Sequence, residues 1–458
     1  MLQSIAKAWF GDFSREELKK FLKLGVIFAL VIGVYWTLRP LKDSIFGSMA
    51  HADNQPWAKL VSMLVLFPLV MIYGQFVDKV ARHKLFYVLG GIYAVGTFII
   101  GALFMHPTIG LANTTVDASR ILAWVWYVFV ESYGSLVVAL FWAFASDITS
   151  DDSAKRGFPM VVMIGQLGSI FGPYSLKRMV AYFGGSAPVV LICGGLILLM
   201  MLAMYYFMAS TPKGQMEGYH GHFATKTDAK EHKELEKEPG FLEGLHLMLG
   251  QPYLLGIFAV ISIYEIIITI IDFHFKSMVY AAGANEAERA LYLGDYAVWV
   301  NIVSFLCLLL GVSNIQRRLG IKVSLVMMPF IVLAMVIGFW KYPVVGTLFY
   351  IMVIAKALNY ALNGPALKQL YVPTTKDVKY KATAWIETFG SRTSKATGSG
   401  VNLLKGPFQG KFGVEAGLTY LFAFSAYLSF GLIAAWVMVA MYLGKTYEKA
   451  AKNKTVVC

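Results

Sequence analysis

Single charged residues stand inside long apolar runs of this sequence, and their chemistry needs explaining first. Glu131 lies in the first half of the run from 127 to 149, YVFVESYGSLVVALFWAFASDIT. A charge at the depth of a bilayer core costs roughly 2.5 to 3.5 kcal/mol on insertion scales, so it usually lines a water-filled cavity or pairs with a cation. Glu131 is therefore predicted to be a functional residue.

The same run predicts a helix with two different faces. Because residues three and four apart share a helix face, one side carries Glu131, Ser135, Val138, Trp142 and Ala145, with Gly134 beside them. The other side carries Leu136, Leu140 and Phe144. We expect the first face to be wet and the second to meet lipid.

A second charged group occupies a later apolar run, ISIYEIIITIIDFHFKSM, at 261 to 278. Glu265 and Asp272 are seven residues apart and Asp272 and Lys276 four apart, so all three share one helix face. Such a column suits ion or proton coupling, with His274 as a further titratable group. The alternative is an internal pair of Asp272 and Lys276 that only satisfies itself.

Cations recur at several depths of the apolar runs. Arg39 and Lys42 share a face if the helix continues past Pro40, which predicts a cavity role; alternatively Pro40 ends the span and both cations reach the interface. The region from 366 to 404 is also unusually cationic, with Lys368, Lys379, Lys381, Arg392 and Lys395. Cations along a permeation path favour an anionic substrate, phosphates above all.

Aromatic residues accompany the charges in the first and fourth predicted spans. Tyr35, Trp36, Tyr127, Tyr133 and Trp142 could offer a stacking surface for a base. Packing or an interfacial belt is the alternative for such a stripe.

Composition identifies the class of protein. Apolar residues make up 57% of the 458 and charged residues 15%, against about 25% charged in soluble domains, so the chain is a polytopic membrane protein. The formal charge of +13 sits mostly between apolar runs, which indicates membrane topology rather than nucleic-acid binding. Cys193, Cys307 and Cys458 are far apart and predict neither a disulfide framework nor a metal site.

About twelve runs are long enough to cross a bilayer, which requires about 20 residues each. Basic residues alternate between the loops so that both termini are predicted to be cytoplasmic. We predict a six-helix half at 1–209, a cytoplasmic linker at 210–250 and a second six-helix half at 251–458. The runs are Phe21–Leu38, Ala58–Val77, Leu85–Met105, Ile121–Ala145, Phe158–Ala181, Val189–Met208, Tyr253–Ile271, Asp295–Ser313, Val323–Trp340, Val344–Ala366, Ala382–Leu404 and Leu418–Leu443.

The two halves resemble each other. Two segments show this resemblance, GQFVDKVARHKLF at 74–86 and GVSNIQRRLGIKV at 311–323. Each begins with a glycine, and clustered basic residues come after it. Parallel six-span repeats are an architecture of secondary transporters, which bind substrate near the midplane. The first segment also resembles the structural and gating loop motif of the major facilitator superfamily. GSIFG at 168–172 predicts close helix packing, whereas GSRTSKAT at 390–397 lacks the glycine and the strand that a phosphate loop needs.

Longer segments resemble the ATP/ADP translocases of obligate intracellular bacteria and plastids. The matches are RPLKDSIF, VESYGSLVVALFWAFASDIT, IIDFHFKS and LKQLYVPTTKDVKYKATAWIETFGSRTSKATG, in order along nearly the whole chain. The resemblance implies a twelve-span fold similar to the major facilitator superfamily and exchange of ATP for ADP and phosphate, or import of nucleotides with protons.

The resemblance also implies which charges matter. The family's important positions fall on Lys42, Glu131, Asp272 and one lysine among Lys379, Lys381 and Lys395, with Lys276 as a further basic position. We expect lysines to bind phosphates, and Glu131 and Asp272 to pair with them when substrate is absent. The expected substrate-binding residues are Arg39, Lys42, Glu131, Asp272, Lys276, Lys381 and Lys395, and the expected coupling residues are Glu131, Glu265, Asp272 and His274.

Two alternatives stay open on the residues alone, a proton-coupled nucleotide symporter and a carrier of another phosphorylated anion. A membrane enzyme acting on a lipid-linked substrate is disfavoured because the outer loops show no catalytic cluster. We expect no enzyme activity, no cofactor, no metal and no nucleic-acid partner. We also expect a monomer in a bilayer, the bacterial inner membrane.

Overall fold

A computed structural model describes residues 14–77, 80–149, 151–212, 216, 241–283, 285–309, 313–374, 385–453 and 455–457. Its described elements are helices and short turns. The first seven helices are α1 (Arg15–Ala50), α2 (Gln55–Val77), α3 (Arg82–Met105), α4 (Ile121–Asp147), α5 (Asp151–Phe183), α6 (Ala187–Ser210) and α7 (Phe241–Gly250).

The second part of the chain continues with α8 to α15. These are α8 (Pro252–Ala282), α9 (Glu286–Leu309), α10 (Ser313–Lys341), α11 (Val345–Leu358), α12 (Gly364–Leu370), α13 (Ser391–Leu403), α14 (Lys405–Phe412) and α15 (Val414–Asn453). Two π-helical turns interrupt the regular pattern, Asn359–Asn363 between α11 and α12 and Ile386–Gly390 before α13. Such turns are rare and occur frequently at functional sites.

Ten of the helices in the described chain are long and apolar enough to cross a membrane. They correspond to ten of the twelve predicted spans. The fifth predicted span is the helix α5, and the eleventh corresponds to the π-helical turn at 386–390 followed by α13. These two segments are helical and contain several glycines and polar residues, and they are not among the ten described helices that meet the requirements of length and apolar composition. The prediction of an all-α membrane protein is confirmed.

Helix α1 continues through Pro40 as one helix of 36 residues. Ser14 caps its N-terminus, because the Ser14 side chain accepts a hydrogen bond from the backbone N–H of Glu17 at 3.1 Å. Because α1 is not interrupted at Pro40, the alternative in which Pro40 ends the span is wrong. Lys42 is consequently buried within a helix instead of standing at its end.

Helices α1 and α5 pack against each other more extensively than any other pair of described elements. Glycines on both helices make this possible. A Cβ at position 168 would lie 2.7 Å from the carbonyl carbon of Ala29, and one at position 33 would lie 3.2 Å from the carbonyl oxygen of Gly168. The predicted packing role of the GSIFG segment is confirmed.

The loop from 106 to 120 is held by one side chain. The Arg120 guanidinium donates hydrogen bonds to the carbonyls of Ile109, Gly110, Asn113 and Thr115. The backbone N–H of Ser119 donates to the Asp117 carboxylate at 2.8 Å, and this bond lowers the pKa of Asp117. The loop between α3 and α4 is therefore ordered by its own polar groups.

The chain clusters into two compact units. Unit 1 comprises residues 1–54, 64–232 and 283–301. Unit 2 comprises residues 55–63, 233–282 and 302–458. Helices α2 and α9 thus each contribute a segment to both units. The predicted division at 210–250 stays a prediction, since most of that segment lies outside the described residues.

The core of each unit is built from large apolar side chains. In unit 1, Trp126, Tyr133 and Phe144 of α4 are fully buried. In unit 2, Trp436 of α15 and Ile267 of α8 are fully buried. The charged residues of α4 and α8 are thus positioned by helices whose other faces are fixed by packing.

Candidate functional site: two buried ion clusters

In unit 1, Lys42 of α1 is held by two carboxylates. Its ammonium pairs with Glu131 of α4 and lies 3.5 Å from the carboxylate of Asp43. It also lies over the ring of Tyr127, 4.2 Å from the centroid, where a cation–π attraction adds to the ion pairs. We call Lys42, Asp43 and Glu131 the Lys42 cluster. It contains one cation and two carboxylates, and Asp43 was not among the predicted site residues.

The members of the Lys42 cluster differ in their access to solvent. The side chains of Lys42 and Asp43 are almost completely buried, whereas 36% of the Glu131 side chain is exposed. Breaking a buried ion pair costs far more than breaking an exposed one. Glu131 is therefore the carboxylate of this cluster that can most easily leave the lysine.

Helix α4 presents Glu131 on a partly exposed face, as predicted. Ser135, Val138 and Trp142 are also partly exposed on this face. The expectation for the opposite face was wrong, because Leu136, Leu140 and Phe144 are buried inside the protein rather than available to lipid. Ala145, which was placed on the wet face, is fully buried too. Packing around α4 is more complete than its apolar pattern alone indicates.

In unit 2, one carboxylate binds three lysines from three helices. Asp272 of α8 lies 2.8 Å from the ammonium of Lys276, one turn along the same helix. It also lies 3.2 Å from the ammonium of Lys356 on α11 and 3.5 Å from that of Lys59 on α2. We call these four residues the Asp272 cluster. The alternative of a self-contained pair of Asp272 and Lys276 is therefore wrong, because two further lysines also contact Asp272.

The Asp272 cluster is positively charged and buried. Only 8% of the Asp272 side chain is exposed, and the three lysine side chains are mostly buried. With every lysine protonated, positive charge exceeds negative charge within these four residues. Buried like charges are costly because their repulsion is weakly screened. The arrangement therefore favours the arrival of a further anion.

Lys59 and Lys356 were missed by the sequence reading. Each is a lone lysine in a predicted span, in PWAKLVSMLV and YIMVIAKALN. A single charge in an apolar run is the same signal that singled out Glu131, so it could have found both. Their convergence on Asp272 depends on where α2 and α11 place the two lysines in space, which spacing along the chain does not reveal.

Glu265 belongs to a separate pair two helical turns before Asp272. Its carboxylate accepts a hydrogen bond from the Ser391 hydroxyl at 3.2 Å and lies 3.7 Å from the ammonium of Lys395. Half of the Lys395 side chain is exposed, so this ion pair is weaker than those of Asp272. Lys395 therefore joins Glu265 and not the Asp272 cluster.

The other predicted site residues have different surroundings. His274 is buried between Phe339 and Phe422, with ring centroids at 5.4 and 4.4 Å, and its Nε2 lies 3.4 Å from the hydroxyl of Ser425. Arg39 extends over the Trp36 ring at 5.0 Å. Lys381 lies outside the described residues. Among the described residues, no three histidine, cysteine or acidic side chains are grouped to hold a metal ion.

Two further groups of polar contacts tie helices of unit 1 together. The Arg82 guanidinium pairs with Asp147 and donates to the carbonyl of Ala143 at 2.8 Å, which ties α3 to the end of α4. At the start of α9, the carboxylate of Glu286 accepts hydrogen bonds from the hydroxyls of Ser44 at 2.7 Å and Ser186 at 2.8 Å. The second contact was not predicted, because it joins three helices distant in sequence.

Comparison with known proteins decides the family. The model of the TLC ATP/ADP transporter family matches residues 3–352. The chain belongs to this family. The resemblance drawn from the sequence segments is thereby confirmed, and Glu131, Asp272 and Lys276 all lie inside the matched region.

Curated proteins named ADP,ATP carriers match over most of the chain. ADP,ATP carrier protein 1 of Chlamydia muridarum is 24% identical, over 96% of this chain and 90% of that protein. ADP,ATP carrier protein 3 of Rickettsia typhi is 22% identical, over 85% of this chain and 87% of that protein. The chloroplastic ADP,ATP carrier protein 2 of Arabidopsis thaliana is also 22% identical, over 93% and 74%.

Solved structures of transporters share the fold. A bacterial homologue of the iron transporter ferroportin, in its inward-facing state, superimposes with a TM-score of 0.61 at 12% identity, over 94% of this chain and all of that one. A D-xylose–proton symporter gives 0.58 at 12% identity, over 92% and 97%. The fold is thus of the major-facilitator type. This TLC family member is a multi-pass membrane transporter of nucleotides and not an enzyme.

Proposed function

We propose that this transporter exchanges ATP for ADP, and that the Asp272 cluster of unit 2 binds the phosphates. The observation that carries the proposal is three lysines bound to one buried carboxylate. A terminal phosphate carries about −1.5 to −2 at pH 7 and three strong acceptor oxygens. It matches the excess positive charge of the cluster and the donors of its ammonium groups.

Asp272 takes the place of the phosphate when the site is empty. Its two oxygens hold the three ammonium groups, so the lysines are never left without an anion. A phosphate that enters displaces the carboxylate from one or more of them and forms charge-assisted hydrogen bonds, which are about twice as strong as neutral ones. Exchange then swaps one phosphate chain for another at the same lysines.

In the Lys42 cluster of unit 1, the lysine can likewise lose one of its two carboxylate partners. Glu131 is the more exposed of its two carboxylates and can release Lys42 while Asp43 stays bound. We assign to Glu131 the stabilisation of Lys42 during the step without substrate. A carboxylate repels phosphate, so a direct contact between Glu131 and the phosphate chain is disfavoured.

Several further features belong to this proposal. Inorganic phosphate is a second counter-substrate because it carries the same acceptor groups as the nucleotide.

The membrane is the bacterial inner membrane, and both termini are cytoplasmic because the loops alternate between basic and non-basic along the chain. The transporter functions as a monomer with the lipid bilayer as its surroundings.

Uptake of radiolabelled ATP into proteoliposomes tests the proposal. Vesicles are loaded with ADP, with phosphate or with buffer alone, and we expect saturable uptake that depends on internal ADP or phosphate. Uptake that persists in vesicles loaded with buffer would indicate symport instead. No saturable uptake of any nucleotide would contradict nucleotide transport itself.

Substitution of the lysines tests the assigned site. Lys356→Gln, Lys276→Gln and Lys59→Gln each remove one charged donor, which contributes about 1.5 to 3 kcal/mol to a hydrogen bond. We therefore expect KM for ATP to rise roughly 10- to 100-fold. Lys177→Gln is the matched control, because 57% of the Lys177 side chain is exposed and its partner Asp295 is exposed too. An unchanged KM in all three variants would place the phosphates elsewhere.

A further inference from the structure

The ring of Tyr35 lies on the backbone of the neighbouring helix. Tyr35 is in the middle of α1, and Gly134 of α4 is opposite it. A Cβ at position 134 would lie 2.8 Å from Cδ2 and 3.0 Å from Cζ of the Tyr35 ring, and closer still to Cε2. Real Cβ atoms do not approach a ring so closely, so the ring occupies this position because residue 134 is glycine.

Tyr35 is accessible, unlike most aromatic residues that were considered as a stacking surface. Tyr127 and Tyr133 are fully buried, and Trp36 is 7% exposed. Trp142 is partly exposed, but its ring packs against Phe28, Phe141 and Phe158. The Tyr35 ring is partly exposed and, among the described residues, has one aromatic neighbour, Trp36, at 6.2 Å in an edge-on arrangement.

The hydroxyl of Tyr35 is available to a ligand. It makes no hydrogen bond within the part of the chain that the structure describes. Buried tyrosine hydroxyls usually find a partner, and nearby Tyr133 does so by donating to the carbonyl of Val31 at 3.3 Å. A partly exposed ring that rests on Gly134 and has an open hydroxyl is suited to contact a flat polar molecule.

Charged groups flank this ring on both helices. Gly134 is three residues after Glu131, so the Tyr35 ring lies about one turn along α4 from the carboxylate that pairs with Lys42. On α1, Arg39 follows Tyr35 by four residues and its guanidinium covers the Trp36 ring. An aromatic face beside cations is the combination that proteins use to bind the bases of nucleotides without relying on sequence-specific hydrogen bonds.

We propose that Tyr35 is the residue of unit 1 on which the base of the transported nucleotide stacks, with Gly134 keeping the space that the ring needs. This inference rests on the proposed function, because it identifies the base-binding residue of a nucleotide exchanger. Base–aromatic stacking changes affinity by about 5- to 150-fold when the ring is removed. Tyr35 therefore contributes to affinity for the nucleoside part and not for the phosphates.

The test compares ATP with tripolyphosphate, which has phosphates but no base. Both compounds compete with labelled ADP for uptake into proteoliposomes containing wild type, Tyr35→Leu, Tyr35→Phe or Gly134→Ala. In Tyr35→Leu we expect the inhibition constant of ATP to rise about tenfold and that of tripolyphosphate to stay within twofold. Tyr35→Phe keeps the ring and retains most of the affinity for ATP.

Gly134→Ala provides an independent variant, because its Cβ displaces the ring while leaving Tyr35 in the sequence. We expect the same selective loss of ATP affinity as in Tyr35→Leu. The control is Tyr182→Leu, which removes a tyrosine that is 83% exposed at the end of α5 and leaves both inhibition constants unchanged. Thermal unfolding of each purified variant identifies any that do not fold, and those that fold decide the outcome.

Two results would overturn the assignment of Tyr35. One is an unchanged ATP inhibition constant in Tyr35→Leu, and the other is an equal rise for ATP and tripolyphosphate. If tripolyphosphate does not inhibit wild type, ribose 5-triphosphate, which has the sugar and the phosphates but no base, replaces it, and an equal rise for ATP and ribose 5-triphosphate in Tyr35→Leu rejects base stacking. Absence of nucleotide uptake by wild type would instead refute the proposed function, so the two failures are distinguishable.

Discussion

The ammonium of Lys356 lies 3.2 Å from Oδ1 of Asp272, on a carboxylate whose Oδ2 is 2.8 Å from the ammonium of Lys276. Each oxygen of Asp272 thus has a lysine of its own, one from α11 and one from α8. Lys59 of α2 adds a third cation at 3.5 Å from Oδ2. Asp272 consequently links three helices of unit 2 through charge, and any anion that replaces it inherits those links.

Removal of the Asp272 charge should destabilise the empty protein. Asp272→Asn leaves three buried lysines without this carboxylate, and loss of one partner from a buried ion pair costs about 3 to 5 kcal/mol. We expect a lower Tm than wild type in detergent. Added ATP or tripolyphosphate should raise the Tm of Asp272→Asn more than that of wild type, since the anion restores the missing negative charge.

A second substitution provides the control for this prediction. Lys356→Gln in the Asp272→Asn background removes one of the repelling cations, so part of the lost stability should return. Glu415→Gln changes an exposed carboxylate at the start of α15 and should leave Tm unchanged. Equal stabilisation of wild type and Asp272→Asn by the anions would show that Asp272 does not occupy the place of the phosphate.

Glu131→Gln should impair turnover more than binding. The amide keeps the size of the side chain but removes the charge that pairs with Lys42, while Asp43 continues to hold the lysine at 3.5 Å. We expect the maximal exchange rate to fall at least about tenfold. Loss of the charge on Glu131 should raise the free-energy barrier of the empty step by about 1.36 kcal/mol or more, and this amount corresponds to a factor of ten in rate.

Binding is measured separately for this variant. The dissociation constant of ATP for purified Glu131→Gln, obtained by calorimetry, should stay within about threefold of the wild-type value. Glu131→Asp retains the charge on a shorter side chain and should recover part of the exchange rate. If affinity and rate fall to the same extent, Glu131 contacts the substrate and does not act in the empty step.

Periodicity in the sequence predicted the helices and their charged faces well. Glu131 lies on a partly exposed face of α4, and Asp272 pairs with Lys276 at the predicted spacing of four residues. These features depend on one helix at a time. The buried state of Leu136 and Phe144 does not, since an apolar side chain can meet lipid or protein equally well.

Contacts between helices account for the features that the sequence did not reveal. Lys59 and Lys356 are far from Asp272 in the chain, and their approach depends on where α2 and α11 place these side chains in the folded protein. The contact between Gly134 and Tyr35 is of the same kind. Roles for Lys381 and the residues around it stay predictions, as this segment lies outside the described residues.

Glycine packing between α1 and α5 leads to a prediction about stability. Gly168→Ala would place a Cβ 2.7 Å from the backbone carbonyl carbon of Ala29, which α1 cannot avoid without moving. Overpacking of this kind costs about 1 to 3 kcal/mol, so Tm should fall measurably. Gly195→Ala is the matched control, because a Cβ at this helical position on α6 meets no atom within 4 Å. A similar Tm for both variants would contradict tight packing of α1 and α5.

The Ser186 hydroxyl should stabilise unit 1 through Glu286 and not through its own helix. Ser186 precedes α6 at the N-cap position, yet its side chain forms no capping hydrogen bond and lies 2.8 Å from the Glu286 carboxylate instead. Hydrogen bonds to charged groups contribute about 1.5 to 3 kcal/mol. Ser186→Ala should therefore lower the free energy of unfolding by an amount in this range.

A double-mutant cycle decides whether the lost stability comes from Glu286. Ser186→Ala and Glu286→Gln are measured singly and together by unfolding in denaturant, with Ser44→Ala as a parallel cycle because Ser44 contacts the same oxygen at 2.7 Å. Coupled residues show an interaction energy of about 0.5 to 3 kcal/mol, so the double variant should lose less than the sum of the single variants. Strictly additive losses of stability would mean that Ser186 acts on α6 alone. In that case the Glu286 carboxylate would not join α1, α6 and α9 through the hydroxyls of Ser44 and Ser186.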